Sequence, residues 1–262
     1  MQILGVKGIS PVAPWLRRLR ALVLLAMAAG MTAGTGSAQT SLRSFDLRTR
    51  RMDVDCDGAP TAYGPRGKKT LDYLRNAHTL GNLHAPIVGY LTEDAPPHHP
   101  VIQGSKDPAP GYYVSQTTFV DETHPDERDP LRYVDAGKIN YVVLGDRARR
   151  RGARVGDFVV VYSHRTGRTA FAIVGDTGNP SGDEGSLHLL QDLGYPFHDG
   201  KDDAVDDAEI EERFYPNSNP HHTFFRTQAA LNDAARKLGL TRNFPASRSE
   251  SPSHPSTHPA PR

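Results

Sequence analysis

Asp176 and Glu184 are the residues of this chain whose type and setting point most directly to chemistry. The apolar run Ala170-Phe171-Ala172-Ile173-Val174 ends at Gly175-Asp176. A loop of Gly, Asn, Pro, Ser and Asp follows, and Glu184-Gly185-Ser186 leads into a second apolar run. Gly, Pro, Asn and Asp adopt the tight backbone conformations that a chain reversal needs, so the segment reads as a strand, a loop and a return. The strand ends on one carboxylate and the loop brings a second one back near it. Two such groups suit hydrolysis of a glycosidic bond. One carboxyl, protonated, donates to the leaving oxygen; the other, ionised, activates water or attacks carbon. Their surroundings must push their pKa values apart. Spacing alone leaves a second reading open, that of a surface turn rich in acids.

Other clusters are weaker. Asp53-Val54-Asp55-Cys56-Asp57-Gly58 matches the first half of a calcium loop, in which alternating carboxylates and a Gly turn wrap a hard cation. The twelfth position, where a bidentate Glu belongs, is Gly64, so a turn with Asp side chains bonding local amides is the preferred reading and no metal is expected. His98 and His99 are adjacent in a Pro-rich loop, a poor arrangement for holding one ion. Cys56 is the single cysteine, so no internal disulfide can form and stability must come from the core. It reads as a small buried residue rather than a nucleophile. The acidic run from Lys201 to Glu212 reads as a solvated segment, or else as the wall of a cleft for a polycation.

The elements that would position the pair are mostly strands. Phe158–Tyr162 and Thr169–Val174, joined across Thr166-Gly167, form a β-hairpin whose second strand delivers Asp176. Further strands are expected at 87–91, 112–120, 139–145 and 213–216. Leu71, Leu74, Leu80 and Leu83 have weak helical spacing. Helices are expected over 187–193, stopped by Gly194, and over 228–240, where Ala229, Leu231, Ala234, Ala235 and Leu238 recur with helical period and Gly239 caps. Thr40 to Arg51 reads as a polar arm and 147–151 as a solvated basic turn.

The chain has 262 residues, 37% of them hydrophobic, enough for a substantial core, and its 24 Gly and 21 Pro favour turns and short strands. Residues 1–38 read as a secretory signal peptide. A basic segment precedes an apolar run too short to span a membrane comfortably, and Gly36-Ser37-Ala38 offers a small-residue cleavage site. Lys7, Arg17, Arg18 and Arg20 leave with it, so 27 basic residues remain against 30 acidic ones. That balance does not suit nucleic acid, which needs a basic face. A single domain over 39–245 and a disordered Ser-, Pro- and His-rich tail over 246–262 complete the organisation.

Taken in order, several segments resemble glycoside hydrolase family 75, the chitosanases. They are Asp53 to Gly58, Gly111 to Thr117, Arg132 to Ala136, Ile139 to Leu144, Gly156-Asp157, and Val174-Gly175-Asp176-Thr177-Gly178 with Glu184-Gly185-Ser186. Together they cover most of residues 53–190. Asn179 and Asp183 make the loop more polar than the family's Gly-Pro form, and the match is poorest after Leu193. The family has an essential Asp and an essential Glu in this central motif, which map onto Asp176 and Glu184.

The strand and turn pattern gives a mainly β, barrel-like domain with peripheral helices, by analogy of the double-psi form. With the signal peptide, the resemblance implies a secreted, extracellular or periplasmic endo-chitosanase, expected to be a monomer. Such an enzyme cleaves β-1,4-linked glucosamine with inversion, using no cofactor, with chitosan or a related cell-wall polysaccharide as partner and no membrane anchor after signal cleavage. Inversion would place the carboxyls roughly 6.5–9.5 Å apart. Glu184 is the expected acid and Asp176 the expected base. Tyr113, Thr118, Asp135, Thr177 and Ser186 are candidates for lining the cleft, against ordinary packing or turn bonding. The alternatives are a peptidoglycan-active lytic transglycosylase needing only Asp176, and a non-catalytic glycan-binding module.

Overall fold

Residues 42–77 and 89–244 are described, from a computed structural model. The strands there are β1 (Phe45–Arg48), β2 (Met52–Asp55), β3 (Tyr141–Val143), β4 (Phe158–Ser163), β5 (Thr169–Asp176), β6 (Glu184–Ser186), β7 (Ala204–Val205) and β8 (Ile210–Tyr215). The α-helices are α1 (Asp146–Arg150), α2 (Leu187–Asp192) and α3 (Gln228–Lys237). All eight strands join one sheet in the order β1-β8-β4-β5-β3-β6-β2-β7, curled into a half-barrel. The expected mainly β, barrel-like architecture with peripheral helices is therefore present.

The expected hairpin is the body of the sheet. β4 and β5 pair antiparallel from Phe158↔Ile173 to Tyr162↔Thr169, and β8 covers the other edge of β4. Val159, Val160, Val161, Ala170, Ala172, Ile173 and Val174 have no exposed surface. An unbroken apolar run of this kind marks a strand covered on both faces. α3 packs against β5 and buries Leu231 and Ala235, four residues apart on one helical face. Each buried Val- or Leu-sized side chain contributes about 1.5–3 kcal/mol. Thr227 caps α3 and Ser186 caps α2, each accepting an amide of the first turn, while Gly194 and Gly239 follow the two helices at φ of 93° and 71°.

Long-range pairing places the functional strands. β6 runs parallel to β2, with Asp53 opposite Glu184, and β5 runs parallel to β3. β6 also pairs antiparallel with β3 through Val142↔Gly185. The loop between β5 and β6 is held down by Leu144 N–H to Asp176 O and by Asp146 N–H to Pro180 O, both 2.8 Å. Gly145 and Gly182 touch where it crosses. A Cβ on either would meet the other's backbone at 2.6–2.7 Å, and Gly182 has φ +72°, so neither position accepts a side chain.

Several expectations are corrected. The polar arm over 40–51 contains β1, whose Phe45 stacks on Phe214 with ring centres 5.4 Å apart, so an apolar anchor makes it a sheet edge. Residues 112–120 make only isolated bridges. There the amides of Tyr113, Val114, Gln116 and Phe119 bond carbonyls of four separate segments, at Tyr63, Val101, Gly89 and Gly175, so no continuous ladder forms. The basic turn is α1, with Asp146 in its first turn and Arg149 and Arg150 in its last, the arrangement a helix dipole favours. Leu71 and Leu74 lie in turns, not a helix, and Leu80 and Leu83 fall outside the described residues. Of the strand expected at 87–91, Tyr90 makes a bridge to Ser115, while residues 87–88 lie outside the described residues. β8 begins earlier than expected, so the acidic run ends inside the sheet. The signal-peptide and tail assignments lie outside the described residues. Among those described, no helix is long and apolar enough to cross a membrane.

Candidate active site

The end of β5, the start of β6 and the end of β2 meet at one open cleft of about 640 Å3. Asp176 and Glu184 both line it. Asp176 is the last residue of β5 and is only 1% exposed. Its Oδ1 accepts three hydrogen bonds, from Thr118 N at 3.0 Å, Thr118 Oγ1 at 2.7 Å and Thr177 N at 2.7 Å. Burial, and then the negative charge of Asp55, nonetheless push its pKa up to about 8. Glu184 opens β6 and is half-buried. Burial and again the Asp55 charge push it to about 8, opposed by a hydrogen bond from the Asn179 side chain. A carboxyl kept neutral near pH 7 can donate a proton, and one that ionises there can accept one.

β2 supplies the acids that sequence reasoning passed over. Met52 and Val54 point into the core while Asp53 and Asp55 line the cleft, the two faces of an alternating strand. Asp55 Oδ1 accepts the Asp57 amide at 2.8 Å, which is the turn bond expected of the Asp-x-Asp run. Asp57 also lines the cleft and accepts the Tyr63 hydroxyl at 2.7 Å. Burial first, then Asp55 and Asp176, hold the Asp57 carboxyl well above the usual range. The Met-Asp-Val-Asp alternation carried the signal for this face. Nothing local indicated that β2 would lie beside β6.

The candidate lining residues divide sharply. Thr177 lines the cleft, and its Oγ1 lies 2.8 Å from that of Thr118, which itself bonds Asp176. Ser186 does not reach the cleft. It is fully buried, and its hydroxyl caps α2 and bridges Ile139 O and Tyr141 N. Asp135 closes a local turn through the Gly137 amide and pairs with Lys138 at 2.8 Å. Tyr113 packs on Tyr90, ring centres 5.2 Å apart, and bridges Ile102, again outside the cleft lining. Asp183 turns to the opposite face, where it lines a separate small cavity with Arg147 and Glu212.

The acidic run divides too. Asp202 and Asp203 form part of the cleft wall beside Lys201, whereas Glu212 is buried in β8. Burial pushes the Cys56 thiol well up and the surrounding carboxylates push it further, which keeps it inert as a nucleophile. Among the described residues, no group of three or more His, Cys, Asp and Glu is placed to hold a metal ion.

No family model matches the chain, and no curated protein matches it.

Proposed function

We propose that this chain is a secreted endo-chitosanase that hydrolyses β-1,4-linked glucosamine by an inverting, two-carboxyl mechanism. The observation that supports this reading best is the joint placement of Asp176 and Glu184 in one open, acid-walled cleft. An open cleft suits a polymer entering along its length. Its acids suit a substrate carrying ammonium groups.

The hydrogen bonds favour one division of labour. Three donors converge on Asp176 Oδ1 and stabilise its ionised form. Asp176 is therefore the base that takes a proton from the attacking water. Glu184, with the weaker donor set, keeps its proton and gives it to the leaving oxygen. Thr118 and Thr177 fix the Asp176 carboxylate through its Oδ1.

The test is a reducing-end assay on chitosan, chitin, cellulose and peptidoglycan side by side, with NMR of the first anomer released. Chitosan cleavage with inverted configuration is expected. Muropeptide release without chitosan cleavage would indicate the transglycosylase instead. Binding without new reducing ends would indicate a glycan-binding module, and either result overturns the proposal.

A further inference from the structure

Asp55 is the carboxylate around which the others are arranged. It lies on β2, which runs beside β6 with Asp53 opposite Glu184, and it lines the same cleft as Asp176 and Glu184. Its Oδ1 is held by the Asp57 amide at 2.8 Å, and the Tyr141 side chain, entering from β3, also favours its charged form. The basic side chains of the cleft are committed elsewhere. Arg51 pairs with Asp53 and Asp206, Arg75 with Asp202, and Lys201 with Asp199. Among the described residues no salt bridge reaches Asp55.

We propose that Asp55 is a positioning residue of the reaction, a fixed third carboxylate whose negative charge keeps the proton on the acid of the Asp176–Glu184 pair. The inference rests on reading that pair as acid and base. Charge partners face Asp55 from every element around it. They are Asp57 and Cys56 on its own segment, Tyr141 on β3, Asp176 on β5, Glu184 on β6, and Tyr63 with Asp72 on the loop that follows the turn. Burial raises Asp55 only to about 6, whereas Asp176 and Glu184 reach about 8, so Asp55 ionises first and the others titrate in its field. For both Asp176 and Glu184, the Asp55 charge is the largest influence after burial. Asp176 raises Glu184 too, but less than Asp55 does, and that contribution is lost whenever Asp176 takes up a proton, whereas the Asp55 charge stays.

The decisive measurement follows the side-chain carboxyl 13C shifts of Asp176 and Glu184 against pH in the full chain, without substrate. In the native protein both curves should show a first inflection near pH 6, where Asp55 ionises, and a second near 8. In Asp55→Asn both groups should titrate lower by about one unit or more, because a like charge has been removed. The alkaline limb of chitosan cleavage should shift down with them, and Asp55→Glu should restore both.

A side chain that merely supported the fold would lower activity without moving the limb. Single-step curves in the native protein overturn the proposal even if Asp55→Asn does not fold, and so do unmoved titrations in a folded Asp55→Asn. Shifted titrations in a protein that does not cleave chitosan would leave the role of Asp55 standing and remove the chitosanase reading. Cleavage with unmoved titrations would do the reverse.

Discussion

Two groups of acids in this molecule are handled in opposite ways. Asp121 and Asp129 sit beyond the sheet, in the loop before β3. Burial pushes both upward, but the partners win. Thr123 donates to Asp121 through its amide and hydroxyl, and Arg226 pairs with it. His124 and the Leu131 amide serve Asp129. Both carboxyls are held below the usual range. At the cleft, Asp55, Asp57, Asp176 and Glu184 have no cation paired with them among the described residues, burial is the leading influence on each, and all are held above it. Where an acid only ties down a loop, the fold supplies donors and a cation. Where the fold leaves acids beside acids, it accepts an electrostatic cost that chemistry can use.

The largest test of this contrast lies at the reacting pair. Asp176→Asn or Glu184→Gln should lower the rate of chitosan cleavage by a factor of about 10²–10⁴, since general acid–base groups contribute that much. The thermal midpoint should hold or rise, because a neutral amide replaces a poorly solvated carboxyl. Activity retained in either variant, measured by reducing ends, would break the assignment.

Next comes the pH dependence of stability. Asp176 and Glu184 bind protons more tightly when folded, near pH 8, than as free carboxyls near 4. Stability attributable to them is therefore full at acid pH and falls as pH rises between those values. Asp121 and Asp129 have the opposite sign, with stability present above the unfolded value and lost on acidification. Thermal melts from pH 5 to 9 should fall for the native chain and fall less steeply in the Asp176→Asn, Glu184→Gln double variant, in which Asp57 and Glu212 still contribute. An unchanged slope would show that the cleft acids are better neutralised than the structure indicates.

A smaller effect is expected at the satisfied acids. Asp121→Ala should cost about 1 kcal/mol in urea unfolding, because it removes hydrogen bonds while Arg226 remains partly exposed to water. Chitosan cleavage should persist. The smallest effect belongs to residues outside the cleft. Tyr113→Phe and Asp135→Asn should change cleavage by no more than about twofold, corresponding to roughly 0.5 kcal/mol. A larger loss would place either residue on the substrate path after all.

Much of the sheet was legible because its patterns are local. The apolar runs of β4 and β5, the Thr166-Gly167 turn and the periodicity of α3 each specify an element without outside help. Asp176 and Glu184 were legible for the same reason, as they flank a loop of strong turn formers. Ser186 shows the limit. A serine next to a catalytic candidate has the same appearance whether it faces substrate or caps a helix, and here it caps α2. Residues 112–120 show another. Their β-branched and aromatic residues suit a strand, yet their amides bond several separate segments in turn and no single partner strand runs beside them.

Turn chemistry and apolar runs act over a few residues, so the hairpin, the chain reversal and the two carboxyls at its ends follow from local sequence. Which other acids join them is a matter of long-range pairing. The parallel pairing of β2 with β6 carries Asp53 and Asp55 across more than a hundred residues of chain to Glu184. The same alternation that turns Glu184 into the cleft turns Asp183 away from it. Burial and the field of Asp55 then set the protonation of the pair, and both depend on neighbours that no stretch of sequence contains.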